Sequence, residues 1–412
     1  MRLTSVRVVR TTAGLAVVAF TAAACSTMPN DADPPDVHND MAEPTDVAAI
    51  GRVDLQTTGN RVIDDRGSLG TAAPVIIDIG AEPEWIVAIE PIEPRPGMSS
   101  WLVVDEAGGL HRIDRIGEAA TVSAIDGLVD PAAGPPLWAD DRIVSSHDPR
   151  LDEFDTPLPD ARIVTSADIG LTAVLTQPTD RYAHGVLGDD LEAAAVLVRD
   201  DVDVTIAFTE PDVAEAISPM LADVDADGEL DVVVTLSNAS VGARLAACRI
   251  DGSLLSESEP IGRGNRWRNL LAVAPIGPSG EVEVIDVRTP HIGGTVQFFA
   301  HEPGLESAPG RLVEVASARG YTTHSIGSRN LDLGIVSDAD GDGRLDVIVP
   351  TQDRRALHVV TRTMTTESGT EVVGTVEFEA SITTNVGAQT DGERVEYAVG
   401  TRTGVVHLFP PA

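Results

Sequence analysis

The chain contains no lysine: all 29 of its Lys+Arg residues are arginine, set against 65 aspartates and glutamates for a formal net charge of −36. A surface of that sign is repelled by nucleic-acid phosphates and by anionic headgroups, which argues against nucleic acid as a partner. Cysteine is nearly absent too. With only Cys25 and Cys248, no disulfide framework exists, and "RLAACRI" around Cys248 alternates like a strand, so its thiol reads as a small buried group and not a nucleophile. Aromatics make up only 3%, so any core is built from Val, Ile, Leu and Ala. Beyond the first 25 residues no run approaches the ~18 apolar residues of a membrane span. The chain carries no G-x-S-x-G, P-loop or H-E-x-x-H motif. Its nine histidines form no spaced metal pair. His147 in "SSHDP" and His324 in "GYTTHSIG" occupy loop-like surroundings and are expected at the surface.

The two ends of the chain differ in kind. "MRLTSVRVVR" holds Arg2, Arg7 and Arg10 and no acid, and "TTAGLAVVAFTAAAC" follows as an apolar, small-residue stretch ending at Cys25. A basic segment, an apolar segment and a small-residue approach to a cleavage point read as a secretory signal. The ending Ala22-Ala23-Ala24-Cys25 resembles a bacterial lipobox, which implies lipidation of Cys25 as the first mature residue and an extracytoplasmic protein held to the cell envelope through its lipid alone. Residues 26–45, "STMPNDADPPDVHNDMAEPT", show no periodic apolar set and read as a disordered tether. Residues 46–412 form the body. At about 365 residues it exceeds the usual size of a single core, so it must split or repeat.

It repeats. Gly228 is followed by "ELD" and "VVVTL", and Gly343 by "RLD" and "VIV". Gly280 is followed by "EVEVIDV", with Glu283 at the position of Asp231, and Gly392 by "ERVEYAVG", with the acid moved to Glu396. The intervals between these glycines are 52, 63 and 49 residues. A worn copy, "GDDLEAAAVLV", covers 188–198. Each copy continues through a turn into a second alternating strand: "RLAACRI", "TVQFFAH", "LHVVTR" and "VVHLF". "WLVVDEAGGLHRI" (101–113) has the same hairpin without the acidic loop. Such β-branched, turn-punctuated repeats of about 50 residues indicate an all-β antiparallel fold, a β-propeller or related solenoid, since one unit cannot bury both faces alone. Counting hairpins from Trp101 predicts about seven four-stranded blades, closed by pairing early with late strands. The hairpin between Trp138 and Thr165 is the weakest, and six or eight blades also fit. Helical period is weak throughout, and "PDVAEAIS" (211–218) is the best short helix candidate.

The two best copies crowd acids. "DVDADGELDVVV" places Asp223, Asp225, Asp227 and Asp231 at the offsets that "DADGDGRLDVIV" gives Asp338, Asp340, Asp342 and Asp346. Four carboxylates in one tight loop cannot all remain ionised without a cation. The pattern D-x-D-x-D-G-x-x-D resembles the first nine positions of a calcium loop. Side-chain oxygens come from positions one, three, five and nine, glycine at six permits the turn, and the backbone carbonyls of Glu229 and Arg344 serve at seven. An EF-hand does not fit, because position twelve is Val234 or Val349 and the following residues favour strand. Magnesium is disfavoured, since it seldom takes an all-protein cage.

These loops resemble the calcium loops of FG-GAP or VCBS repeats, which form blades in integrin-type and bacterial surface β-propellers. The resemblance is close in two blades and implies two calcium sites. At "APIGPSGEVEV", "GAQTDGERVEY" and "HGVLGDDLEAAAV" the Asp ligands are mostly missing, and no metal is expected there. Such sites hold a fold together, so function is expected on loops of one propeller face or in the central channel. "GRGNRWRNL" (262–270) clusters Arg263, Arg266 and Arg268 around Trp267, a candidate ligand patch for a carboxylated sugar or a peptide acid. The alternative is a connector whose Trp packs inside and whose arginines pair with acids. With no catalytic constellation, the expected function is a monomeric, non-enzymatic binding, adhesion or scaffold module for a protein or glycan at the cell surface. The alternative is a carbohydrate-active enzyme, a polysaccharide lyase or glycosidase, on the same fold.

Overall fold

The computed structural model describes residues 7–10, 59–70, 73–92, 94–134, 137–139, 142–144, 148–305, 308–391 and 393–411. Cys25, the 26–45 tether, His147 and Gly392 lie outside the described residues. Of the expected leader, only Arg7–Arg10 is described, as a strand antiparallel to Val204–Ala207.

The chain is a β-propeller. Its strands fall into six four-stranded antiparallel units among the described residues. The first blade is Pro83–Ile89, Met98–Asp105, Gly109–Ile116 and Ala119–Leu128. The second runs from Val164–Ser166 to Val204–Ala207, the third from Met220–Ala222 to Leu254–Ser258, and the fourth from Arg268–Ala274 to Gly310–Arg319. The fifth comprises Ile335–Asp338, Asp346–Pro350, Ala356–Arg362 and Thr370–Glu377. The sixth takes Gly387–Thr390, Val395–Thr401 and Val405–Phe409 from the end of the chain and its outer strand, Val75–Asp78, from the beginning. Where a seventh hairpin was expected, Leu137–Ala139 and Arg142–Val144 make only a two-stranded ribbon.

Burial follows position within the blade. The second strands of blades three, five and six, Asp231–Ser237, Asp346–Pro350 and Val395–Thr401, are buried along their whole length. Each is packed against a neighbouring blade on both sides, which is why "VVVTL" and "DVIV" are continuous apolar runs. Outer strands have one wet face and alternate, as Thr370–Glu377 does. Small residues let the blades approach. A side-chain carbon on Gly387 would lie 2.9 Å from the ring of Trp101 in the first blade.

Two devices close the ring. Val75–Asp78 pairs antiparallel with Val405–Leu408, setting Ile77 opposite Val406. Asn385, buried between the last and first blades, accepts from the Ile86 N–H at 3.0 Å and donates to the Ile86 carbonyl at 2.8 Å. Ahead of that outer strand the chain threads the inner side of the ring. Asn60 exchanges two hydrogen bonds with the Val273 backbone. Arg61 donates to the carbonyls of Gly334 and Val386, and Val62–Arg66 runs parallel to Ile335–Asp338.

The predicted helix at 211–218 does not form. Val213–Ala214 is a short strand between Ala193 and Leu236. Asp212 is buried against Arg244, with contacts of 2.8 and 3.1 Å, and the Glu215 N–H donates to the Thr235 carbonyl. These long-range hydrogen bonds between two blades override a weak local helix preference.

Candidate metal centres

In blades one to five the loop from first to second strand and the loop from third to fourth emerge on one face, and in blade six the first-to-second loop does so too. Both acidic loops join a first strand to a second, 222–231 in blade three and 338–346 in blade five, so both lie on the same face.

The two loops have the same build. The position-one carboxylates, Asp223 and Asp338, accept the position-six N–H of Gly228 at 2.9 Å and of Gly343 at 3.0 Å. The position-five carboxylates, Asp227 and Asp342, accept the position-seven N–H of Glu229 and Arg344, each at 2.9 Å. The position-nine carboxylates, Asp231 and Asp346, accept the position-two N–H of Val224 at 3.1 Å and Ala339 at 3.3 Å. Gly228 and Gly343 sit at φ +91 and +89, a backbone region that favours glycine.

Three carboxylates per loop converge. Asp223, Asp225 and Asp231 place ligand oxygens within 4.8 Å of one another, and so do Asp338, Asp340 and Asp346. The fourth side chain expected in each set does not join them. Asp227 turns to Arg249 at 2.8 Å and Asp342 to Arg344 at 3.1 Å. Each closes a local turn through its other oxygen, so positions one, three and nine form the cage and position five braces it. Glu229 and Arg344 follow the left-handed glycines at position seven.

Crowding acts on protonation. Burial, helped by the Asp340 charge, pushes Asp346 up to about 7, and burial likewise pushes Asp231 up to about 7 despite the Val224 N–H. Burial also raises Asp338. In contrast, the Glu229 N–H and then Arg249 hold exposed Asp227 below its usual range. Asp338 is only 3% exposed, yet its Oδ1 has no hydrogen-bond partner, and Asp225 Oδ1, on a partly buried side chain, has none either. A buried carboxylate oxygen without a donor is costly unless a cation takes that place. All the donors are oxygens, so both clusters can hold a hard metal ion.

The arginine–tryptophan patch is not a surface. Trp267 is buried, stacks on His291 with centroids 5.9 Å apart, and donates to the Glu215 carbonyl at 2.9 Å. Arg268 is buried against Asp286 at 2.6 Å. Only Arg263 and Arg266 remain exposed, bonded to the carbonyls of Ser240 and Ile261. The four do not form one recognition patch, because "WRNL" enters the first strand of blade four and Trp267, Arg268 and Asn269 are all buried there. His324, expected at the surface, is buried as well. Its Nδ1 lies 2.5 Å from His291 Nε2, and its Nε2 donates to the Ser328 carbonyl at 2.6 Å. Burial holds His291 down to about 4 and His324 down to about 3. Cys248 is buried, its thiol pushed up to about 12 by burial, which fits an inert packing role.

The acids in the worn copies are taken up by arginines of neighbouring blades. Glu283 is held by Arg362 of the next blade through contacts of 2.7 and 3.0 Å. Glu396 is held by Arg115 of the first blade, with Nε 2.9 Å from Oε1. The one available signal was an arginine near the end of a third strand, "LHVVTR" and "LHRIDR".

No protein-family model and no curated protein matches the chain. Solved structures similar to it include BBS1N in complex with ARL6DN, at 12% identity and a TM-score of 0.46, covering 82% of this chain and 98% of that one. The Saccharomyces cerevisiae Sqt1 is similar at 9% identity and a TM-score of 0.38, covering 84% of this chain and all of that one. Both scores fall below 0.5, and the propeller architecture rests on the strand pairing of this chain itself.

Proposed function

We propose that this chain is a calcium-binding β-propeller acting as a non-enzymatic binding, adhesion or scaffold module for a protein or glycan, held to the cell envelope through a lipid on Cys25. The observation that carries the calcium reading is Asp338, whose Oδ1 is a buried carboxylate oxygen without a donor and which belongs to a cluster of three convergent acids. Calcium accepts six to eight oxygen ligands in flexible geometry, and extracellular modules of this kind bind it at roughly 10⁻⁴–10⁻³ M. Three carboxylates supply part of that shell, and backbone carbonyls and water supply the rest. At an ion concentration about tenfold above the dissociation constant, each site adds ~1.4 kcal/mol to stability. The ions therefore act as fasteners, and partner recognition falls to the loop surfaces they hold.

Thermal unfolding with and without chelator tests the calcium reading. A fall in melting temperature on chelation, reversed by calcium, is expected. Absence of both a melting shift and a binding heat at millimolar calcium overturns it. A glycan and protein array identifies the partner class, and release of new reducing ends or unsaturated uronates from a polysaccharide panel would replace the binding role with an enzymatic one. For the anchor, Cys25→Ser is expected to move the protein from the membrane fraction to the soluble extracytoplasmic fraction. Identical fractionation of both forms overturns it.

A further inference from the structure

The four acidic repeats solve one electrostatic problem in different ways. Each places a carboxylate at or beside the start of a buried second strand: Asp231, Glu283, Asp346 and Glu396, all at most 4% exposed. In blade four, Arg362 reaches across from blade five and grips Glu283 with two contacts, and both side chains are buried. In blade six, Arg115 reaches across from blade one and grips Glu396 in the same way. Blade three draws its cation from its own third strand. Arg249, the cross-strand partner of Asp231, lies 2.8 Å from both Asp225 and Asp227.

Blade five has no such arginine. Val347 pairs with Val360, so the residue opposite Asp346 is Thr361, whose hydroxyl is a neutral partner for that carboxylate. Arg344 is half exposed and reaches only Asp342, outside the cage. Among the described residues no arginine pairs with Asp338, Asp340 or Asp346. This is also the loop whose unpartnered oxygen, Asp338 Oδ1, belongs to a side chain that is more than nine-tenths buried.

Resting on the calcium reading above, we infer that arginine replaces the ion in two of the four acidic repeats and competes with it in a third, where Arg249 weakens the 223–231 site, so that the ion requirement of the fold is concentrated in the 338–346 loop. The location of the ion-requiring loop gives this division a consequence. The Gly67 N–H donates to the Asp338 carbonyl at 2.6 Å and the Leu69 N–H to the Ala339 carbonyl at 2.9 Å, so the segment leading to the ring-closing strand is fastened to that loop. A side-chain carbon on Gly341 would touch the Gly67 carbonyl at 3.2 Å. Calcium at 338–346 thus holds the closing segment, whereas 223–231 is braced by Arg249 whether or not an ion is present.

The test is calorimetric calcium titration and calcium-dependent melting of wild type, Arg249→Thr, Thr361→Arg, Asp340→Asn and Asp225→Asn. Wild type is expected to show two unequal affinities, the tighter one lost in Asp340→Asn together with most of the calcium-induced rise in melting temperature. Arg249→Thr removes two half-exposed ion pairs and is expected to tighten the weaker site roughly fivefold while leaving the tighter one unmoved. Thr361→Arg is expected to weaken the tighter site at least as much. Should Thr361→Arg not fold, Arg249→Thr and the two Asp variants decide the question alone. Two equal sites indifferent to Arg249→Thr, or an Asp225→Asn variant that loses as much calcium-induced stabilisation as Asp340→Asn, overturn this inference while leaving the calcium reading intact. No calcium heat in either wild type or Arg249→Thr overturns the calcium reading and this inference with it.

Discussion

The Tyr397 hydroxyl lies 2.7 Å from Ser337 Oγ, with both side chains buried, and so ties the last blade to the strand that enters the 338–346 loop. Gly67 passes directly beside this bond: a side-chain carbon there would sit 2.3 Å from the same hydroxyl. Blade six, the closing segment and the second acidic loop therefore meet around one hydrogen bond.

Tyr397→Phe strands the Ser337 hydroxyl in a dry interface and is expected to cost about 1–2 kcal/mol. Gly67→Ala forces the tyrosine or the Asp338 backbone to move and is expected to cost more. Urea unfolding of the two variants checks the order, and a neutral Gly67→Ala contradicts it.

Calcium is expected to slow amide hydrogen exchange at Gly67 and Leu69, whose N–H groups donate to the Asp338 and Ala339 carbonyls. Peptides covering the blade-one hairpin 98–116 serve as the control. Equal protection with and without calcium across 59–70 contradicts the coupling.

Acidity is expected to oppose calcium. Asp231 and Asp346, normally near 3.8, lie near 7 when the loops are metal-free. A raised folded value contributes stability that is complete below the unfolded value and is lost as pH climbs through about 7. The metal-free protein is thus weakened between pH 4 and 8 by these two groups, and calcium, which needs them ionised, restores more at pH 8 than at pH 5.5. His291 and His324 act with opposite sign. Their lowered values contribute stability present above about 6.5 and lost as pH falls toward 4. The difference in melting temperature between calcium and chelator cancels that histidine contribution. A difference that grows on acidification contradicts the assignment.

Glu283→Gln leaves the Arg362 guanidinium buried and uncompensated, and is expected to cost about 3 kcal/mol. The double variant Glu283→Leu, Arg362→Met is expected to recover most of that loss, as replacement of a buried pair by apolar groups commonly does. Denaturant midpoints of the single and double variants, with unchanged slopes, check both.

Much of the architecture could be read from the chain because period-two alternation and glycine turns are local properties. The hairpins at 98–116, 231–249, 283–302, 346–362 and 395–409 form where the alternation places them, and the two acidic loops share three hydrogen bonds because those bonds lie within nine consecutive residues. The number of four-stranded units was less legible, since Leu137–Ala139 and Arg142–Val144 carry the alternation of a hairpin but pair only with each other among the described residues. The helix expected at 211–218 was lost to contacts with residues 20 or more positions away, and "GRGNRWRNL" looked like a surface because clustered arginines usually are one.

What the sequence determined by itself is the chemistry of each repeat: which loops crowd four carboxylates, which strands are apolar on both sides, and which copies have lost their aspartates. What only the tertiary structure decided is where each negative charge finds its counter-charge. Arg362 stands 79 positions from Glu283 and Arg115 stands 281 positions from Glu396. Those pairs exist because the ring sets a third strand of one blade against a second strand of its neighbour, and electrostatic attraction depends on distance in space, not along the chain.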